Sequence, residues 1–195
     1  MSLALRSLCV FCGSSAGTDP AFGDAARRLG RALANEGVSL IYGGGRIGLM
    51  GQLAEATLDA GGTVVGIIPR HLRTTEVAFE RVSELVVVDD MHTRKRAMFD
   101  RSDAFCILPG GIGTLDETFE ILTWKQLRLH HKPVILVNVA GYWSPWIDLI
   151  DHMVAEGFSG AATTSLYTVI TDVESVLATA RAAPLPDYVS ESRLF

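Results

Sequence analysis

A glycine-rich loop and the carboxylate that follows it could bind a phosphate and act on the group attached to that phosphate. The loop Pro109-Gly110-Gly111-Ile112-Gly113-Thr114 precedes a helical pattern. Glycines carry no Cβ atom, so successive backbone N–H groups can converge on phosphate oxygens, and Thr114 can add a hydroxyl. Because the chain contains no G-x-x-x-x-G-K-[ST] sequence, a monophosphate is a better candidate ligand than a nucleoside triphosphate.

Glu117 follows Thr114 at a spacing that allows two interpretations. The pair matches T-x-x-E, a capping box in which the glutamate only accepts from a backbone N–H. Glu117 also shares a helix face with Ile121 and Trp124, and this face is expected to pack inward. A rise of ~1.5 Å per residue places it ~4–5 Å along the helix axis from the loop. A half-buried carboxylate beside an anion site is a candidate for function.

Arg94 is a second charged candidate, in the segment Asp89-Asp90-Met91-His92-Thr93-Arg94-Lys95-Arg96. Helical spacing places Arg94 on one stripe with Met91 and Met98, which is an unusual position for a solvated charge. Arg96 lies off this stripe and is expected in solvent. His92 has no partner visible in the sequence, so a structural role is its default.

Two further loops are rich in small residues. Gly13-Ser14-Ser15-Ala16-Gly17 lets backbone and hydroxyl groups approach a ligand, although an ordinary turn has the same composition. Gly43-Gly44-Gly45-Arg46-Ile47-Gly48 matches G-x-G-x-x-G, but it follows the second predicted strand, and the next strand ends without an acidic residue. A nicotinamide-dependent oxidoreductase is therefore disfavoured, and a helix N-terminus that could accept an anion remains.

Cys9 and Cys12 form a C-x-x-C, which in other settings suggests a redox pair or half of a zinc site. The chain has neither a second C-x-x-C nor a histidine pair at ligand spacing. Side chains alternate along a strand, so these two thiols should point in opposite or splayed directions. Together with Cys106 they are expected to be buried and reduced, which favours a cytoplasmic protein without disulfides or a metal site.

Seven short apolar runs, from Leu8–Cys12 to Tyr167–Ile170, alternate with six helical patterns. Near-continuous apolar strands are typical of a parallel sheet covered on both faces. The pattern predicts an α/β fold: a Rossmann-like doubly wound sheet, mostly parallel, with about seven strands and helices on both faces. One domain over residues 1–183 is expected, followed by a tail over residues 184–195. Ligands of such sheets bind outside the carboxyl ends of the strands. The three loops that begin at Gly13, Gly43 and Pro109 and the segment from Asp89 to Arg96 are expected there.

The composition excludes several classes of protein. The 195 residues are 48% hydrophobic with a formal net charge of −5, which is too apolar and too weakly charged for a disordered chain. No apolar run reaches the ~18–20 residues of a membrane span. The acidic balance argues against non-specific nucleic-acid binding. Neither a nucleic acid nor a membrane is therefore expected as a partner.

Together these motifs resemble the LOG ("lonely guy") family of cytokinin riboside 5'-monophosphate phosphoribohydrolases, which are often described as lysine decarboxylases. The resemblance rests on Cys12-Gly13-Ser14-Ser15, Tyr42 to Gly51, Met91 to Lys95 and Pro109 to Glu117, and it covers about residues 8–158. It implies a Rossmann-like fold, a homodimer, and hydrolysis of the N-glycosidic bond of AMP or of an N6-modified, cytokinin-type adenine nucleotide. The products would be the free base and ribose 5-phosphate, and neither a metal ion nor an organic cofactor is implied.

Position by position, the resemblance implies that Arg94 and Glu117 are the catalytic pair. The residues it assigns to substrate binding are Ser14, Gly45, Glu76, Met91, Lys95, Gly110, Gly111, Ile112, Gly113, Thr114 and Asp116. Two of these depart from the family pattern, because Ile112 replaces an aromatic residue and Asp116 replaces the first of two adjacent glutamates. Glu117 is expected to stabilise positive charge on the sugar and to orient water, while Arg94 either holds Glu117 in place or neutralises charge on the leaving purine.

Two other functions remain open at this point. Similar P-G-G-x-G-T loops occur in molybdenum-cofactor carriers, so the alternative is a non-catalytic protein that binds a nucleotide or the molybdenum cofactor. A lysine decarboxylase would need a lysine that binds pyridoxal phosphate, and none of the lysines Lys95, Lys125 and Lys132 lies in a recognisable setting for one.

The implied homodimer has some support in the composition of the second half of the chain. Large apolar side chains exceed what one packed layer is expected to bury; they are Trp124, Leu127, Leu129, Trp143 and Trp146. A core position is the default for each of them. In the family, helices from two subunits pack together and complete each other's sites, so a symmetric dimer is expected.

Overall fold

Within residues 4–73 and 77–184, seven short strands lie side by side in one sheet, and every pairing between neighbours is parallel. The computed structural model describes residues 4–73 and 77–184. Its strands are β1 (Ser7–Phe11), β2 (Ser39–Tyr42), β3 (Val64–Pro69), β4 (Glu84–Val88), β5 (Ala104–Ile107), β6 (Val134–Val137) and β7 (Thr168–Ile170). Their order across the sheet is β4-β3-β2-β1-β5-β6-β7. The five inner strands are almost fully buried, which explains their continuous apolar runs.

Six α-helices of the described part of the chain cover the two faces of the sheet. They are α1 (Pro20–Asn35), α2 (Gly48–Asp59), α3 (Met91–Asp100), α4 (Ile112–Gln126), α5 (Ser144–Ala155) and α6 (Val176–Ala182). Residues of α1, α2 and α6 pack in one apolar cluster, and residues of α3, α4 and α5 pack in the other. The predicted fold class is confirmed, with a sheet that is parallel throughout. Within the described ranges, no helix is both long and apolar enough to cross a membrane.

The two faces of the sheet separate the cysteines as predicted. Cys9 packs on the α3–α5 face, whereas Cys12 and Cys106 pack on the α1–α2–α6 face. All three are free and buried, and burial raises the pKa of each thiol well above its usual value. The C-x-x-C is thus not a redox pair, and the thiols are inert packing groups.

The strand order reverses at the centre of the sheet. β2, β3 and β4 extend from one side of β1, while β5, β6 and β7 extend from the other. Doubly wound sheets bind ligands in the crevice outside the carboxyl ends of two such central strands. Here that crevice lies between the loops that follow β1 and β5. The boundary between residues 1–183 and the tail stays a prediction, because residues 185–195 lie outside the described part of the chain.

Candidate active site

Gly13 lies at the centre of the crevice, and both of its backbone polar groups are bonded to neighbouring loops. Its N–H donates to the carbonyl of Pro109 over 3.0 Å, and its carbonyl accepts from the N–H groups of Leu49 (3.0 Å) and Met50 (3.3 Å). Leu49 and Met50 belong to the first turn of α2, whose amides would otherwise lack partners. The prediction that the Gly43 to Gly48 loop leaves an anion-accepting helix end is therefore wrong, since Gly13 already fills that end.

The N-terminus of α4 is arranged differently. Its cap residue is Gly111, and no side chain caps the helix. The amides of the first turn, at Ile112, Gly113 and Thr114, therefore have no partner within the helix and lie beside the crevice. Such a set of N–H groups, at the positive end of the helix dipole, favours an anion.

This helix start also decides between the two interpretations of Glu117. Thr114 is the third residue of α4 rather than its cap, so the T-x-x-E capping box does not form. Glu117 is instead buried, with 9% of its surface exposed. The interpretation of Glu117 as a mere capping residue is therefore wrong.

Arg94 is buried on α3, with 5% of its surface exposed. Its Nε donates to the carbonyl of Ile67 over 3.2 Å and its Nη2 donates to the carbonyl of Gly43 over 3.0 Å. Nη1 lies 3.7 Å from the sulfur of Met91. A Cβ atom at Gly43 would lie only 2.0 Å from Nη2. The first glycine of the G-x-G-x-x-G match thus makes room for a guanidinium.

Arg94 and Glu117 meet in a cleft of about 230 Å³ at the carboxyl ends of the central strands. The residues that line it are Val10, Phe11, Cys12, Gly13, Ser14, Gly43, Met50, Leu72, Met91, Arg94, Gly111, Ile112, Gly113, Thr114 and Glu117. Eight of these, Ser14, Met91, Arg94, Glu117 and the four from Gly111 to Thr114, were predicted as site residues. Their assigned roles remain predictions, but the fold brings them to one cavity.

Four of the predicted residues, Lys95, Asp116, Gly45 and Gly110, lie outside this lining, and a fifth lies outside the described residues. Lys95 Nζ is 3.1 Å from Asp116 Oδ2 and 3.2 Å from Glu120 Oε2, so Lys95 and Asp116 pair with each other. Desolvation opposes the charge of Lys95, but the hydrogen bonds that its ammonium group donates to both carboxylates raise its pKa above the usual value. Gly45 is buried and forms an antiparallel bridge with Ala78. Glu76 is the residue that the described part of the chain omits.

Gly110 lies on the other side of the phosphate loop, in a second cavity of about 260 Å³. There its carbonyl accepts a hydrogen bond from the hydroxyl of Tyr142 over 2.6 Å. Tyr142 was not predicted as a site residue. The available signal was its position after β6, the strand next to β5, because all such loops gather at one edge of a parallel sheet.

The described residues offer little to a metal ion or to pyridoxal chemistry. No group of three or more histidine, cysteine, aspartate or glutamate side chains is placed to hold a metal ion within the described ranges. No lysine lines the cleft. Lys95 pairs with carboxylates, and Lys132 Nζ donates to the carbonyl of Phe99 over 2.6 Å. A decarboxylase that depends on a cleft lysine has no support here.

Comparison with known proteins identifies the family. The model of a family described as "Possible lysine decarboxylase" matches residues 50–180. A cytokinin riboside 5'-monophosphate phosphoribohydrolase of Rhodococcoides fascians is 47% identical over 178 residues, which cover 91% of this chain and 90% of that protein. The chain belongs to the LOG family.

Two plant members of the LOG family are similarly close. A probable cytokinin riboside 5'-monophosphate phosphoribohydrolase of Oryza sativa subsp. japonica is 52% identical over 151 residues, covering 77% of this chain and 68% of the relative. A cytokinin riboside 5'-monophosphate phosphoribohydrolase of Arabidopsis thaliana is 49% identical over 153 residues, covering 78% of this chain and 72% of the relative.

Solved structures extend the likeness of fold beyond the LOG family. The molybdenum cofactor carrier protein of Chlamydomonas reinhardtii matches with a TM-score of 0.66 at 21% identity, over 90% of this chain and 95% of that chain. A molybdenum cofactor binding protein of Rippkaea orientalis matches with a TM-score of 0.67 at 22% identity, over 91% and 96%. At this level of identity, the likeness shows a shared fold alone.

Proposed function

We propose that this LOG-family protein hydrolyses the N-glycosidic bond of purine ribonucleoside 5'-monophosphates, releasing the free base and ribose 5-phosphate. AMP and its N6-modified, cytokinin-type derivatives are the substrate class. The observation that carries the proposal is one cleft in which buried Arg94 and Glu117 adjoin the uncapped N-terminus of α4. The names of relatives at 47–52% identity point to the same reaction.

The uncapped first turn of α4 is the binding site for the 5'-phosphate in this proposal. Its three N–H groups and the positive end of the helix dipole stabilise an anion without a lysine or a metal ion. Alanine side chains at Gly111 and Gly113 would meet no atom within 4 Å, so the loop faces open space. This binding is remote from the scissile bond and serves to position it.

Glu117 acts on the sugar. Cleavage of the bond between C1' and the purine nitrogen leaves the electron pair on the purine and builds positive charge on the ribose. A buried carboxylate stabilises that charge and orients the water that adds to C1'. The proton from this water balances the reaction by reaching the departing purine.

Arg94 acts on the leaving purine. Its guanidinium is held by two backbone carbonyls, which fix a positive charge at one place in the cleft. A fixed cation would oppose the positive charge that develops on the ribose, so its favourable position is beside the negative charge that develops on the base. Arg94 and Glu117 thus stabilise opposite charges on the two sides of the breaking bond.

A second copy of the chain completes the proposed enzyme. Leu127 and Leu129, at and beyond the end of α4, are 49% and 67% exposed, and Ile112 at the cleft is 86% exposed. Trp143 and Trp146, by contrast, are buried in the core. A partner packed along α4 would cover the exposed side chains next to the cleft. Light scattering of the purified protein measures its molar mass and so shows whether two copies of the chain associate.

The test is to separate the products after incubation with AMP, N6-isopentenyl-AMP, and the two corresponding nucleosides. Glu117→Gln should lower kcat by about 1,000-fold, with the dissociation constant for AMP within about threefold of that of the unmodified protein. The unphosphorylated nucleosides should be at least about 100-fold poorer in kcat/KM, because they lack the positioning phosphate.

Glu55→Gln is the matched control for the loss of a carboxylate. Glu55 is a half-exposed residue of α2, 3.6 Å from the Nε of Arg46 and outside the cleft. Near-normal turnover by Glu117→Gln, or equal turnover of adenosine and AMP, would contradict the proposed function.

A further inference from the structure

Tyr142 touches the phosphate loop although the proposed mechanism does not use it. Its hydroxyl donates to the carbonyl oxygen of Gly110 over 2.6 Å. Both residues line the second cavity, which lies against α1 at Phe22, and neither Arg94 nor Glu117 lines this cavity. Gly111 borders both the second cavity and the candidate cleft. Tyr142 therefore holds the loop from the side away from the catalytic pair.

The geometry of the peptide unit links this hydrogen bond to the opposite side of the loop. In a trans peptide, the carbonyl and the following N–H point in opposite directions. The described residues contain no cis peptide bond. Because the Gly110 carbonyl is held towards Tyr142, the N–H of Gly111 points away from Tyr142.

A peptide between two glycines is the kind that most needs such a restraint. Neither Gly110 nor Gly111 has a Cβ atom, so rotation of the peptide plane between them meets little steric resistance. A rotated plane would turn the Gly110 carbonyl towards the bound anion and the Gly111 N–H away from it. The same peptide would then repel the phosphate that it otherwise binds.

The loop after β6 is built to present Tyr142 at this position. Ala140 adopts a φ of 49°, in the left-handed region that a residue with a side chain rarely occupies. The side chain of Asn138 accepts from the N–H of Trp143 over 2.7 Å and closes the turn. The ring of Tyr142 packs edge-on against the rings of Phe22 and Trp143, with ring centroids 5.3 Å and 4.8 Å apart, respectively. Backbone strain that persists in this way is often found at functional sites.

We propose that Tyr142 is a positioning residue that locks the Gly110–Gly111 peptide with its N–H towards the 5'-phosphate. The role rests on the proposed function, because it concerns the phosphate of that substrate. The phosphate is bound equally in the ground state and the transition state, so loss of the lock weakens binding and leaves the chemical step unchanged.

The test is Tyr142→Phe, which removes one oxygen and keeps the aromatic packing. Calorimetry should give dissociation constants for AMP and ribose 5-phosphate about 10-fold higher than in the unmodified protein. This is the effect expected when the N–H of Gly111 loses its hydrogen bond to the charged phosphate. KM for AMP should rise by the same factor, with kcat within about twofold and with kcat/KM for adenosine unchanged. Tyr167→Phe is the matched control, because Tyr167 packs against Trp146 and lines neither cavity.

The outcomes separate this role from the proposed function. Unchanged affinities of Tyr142→Phe for both phosphorylated probes would overturn the positioning role, as would an equal loss of kcat/KM for adenosine and AMP. If the unmodified protein binds AMP but releases no base, the proposed function fails while the two affinities still decide the role of Tyr142. If the unmodified protein binds neither phosphorylated probe, both proposals fail.

Discussion

Two glycine-rich loops of this molecule look alike in sequence and differ in what their helices can bind. The Gly43 to Gly48 loop leads into α2, and the Pro109 to Thr114 loop leads into α4; each follows a parallel strand. The first amides of α2 are filled by the carbonyl of Gly13, whereas the first amides of α4 have no such cap. Glycines therefore indicate that a backbone approaches something closely, but not whether that is a ligand or the protein itself.

The room for a side chain at the glycines differs between the two loops in the same way. In the α2 loop, a Cβ atom at Gly43 would meet the guanidinium of Arg94 at 2.0 Å, and one at Gly48 would meet the backbone of Ser14 at 2.3 Å. In the α4 loop, Cβ atoms at Gly111 and Gly113 would meet nothing within 4 Å. Open space beside uncapped amides is what distinguishes a ligand site from a packing contact.

In this comparison, the largest effect is expected at Gly110, the glycine of the α4 loop that packs against Thr114 and Gly13. Gly110→Ala would place a Cβ atom 2.1 Å from Thr114 Oγ1, which displaces the first turn of α4. A displacement on this scale should lower kcat/KM for AMP by about 100-fold. Steady-state kinetics measure the loss, and the thermal midpoint reports whether the fold is retained. An equal loss for adenosine would place the damage outside phosphate binding and weaken the contrast between the loops.

A substitution in the α2 loop should have a smaller effect, and that effect should appear in kcat rather than in KM. Gly43→Ala pushes the guanidinium of Arg94 away from its carbonyl partners, so kcat should fall by about 30-fold while KM stays within about threefold. Inhibition by ribose 5-phosphate should be unchanged, because the phosphate site lies on α4. A rise in the inhibition constant without a fall in kcat would instead indicate that the α2 loop binds the anion.

The smallest effect is expected at Arg46, the one basic side chain within the α2 loop. It is half-exposed, 3.6 Å from Glu55, and packs over the ring of Phe79. Since Gly13 fills the end of α2, Arg46→Gln should change the calorimetric affinity for AMP by less than about twofold. A tenfold loss would assign a phosphate contact to Arg46 and remove the distinction between the two helix ends.

Much of the fold could be predicted from periodicity. The alternation of apolar runs and helical patterns predicted the sheet, and α1 begins at Pro20, a residue type that is common in the first turn of a helix. α4 begins at Ile112, inside the Pro109 to Thr114 loop that was expected to precede the helix. Ile112 and Gly113 lie in a first turn, where amides need no partner within the helix, so a weak helix former is tolerated there.

The site was predictable where side chains carry the signal and not where the backbone does. The stripe of Met91, Arg94 and Met98 marked the position of Arg94 as unusual for a solvated charge, and Arg94 is buried. Its acceptors are carbonyls of Gly43 and Ile67, which lie 51 and 27 residues away in sequence. Carbonyls occur in every residue and leave no compositional trace, so neither contact could be inferred. The bond from Tyr142 to Gly110 escaped prediction for the same reason.

The hydrogen bonds of Gly13 tie the length of the segment after β1 to the positions of the β5 loop and of α2. One peptide group on each side of this residue joins the β5 loop and α2, so an insertion or deletion next to it would move both at once. Exchange of this crevice between homologous enzymes would succeed only if the three segments were transplanted together. Divergence in substrate preference is accordingly expected in stretches that make no bond to this junction.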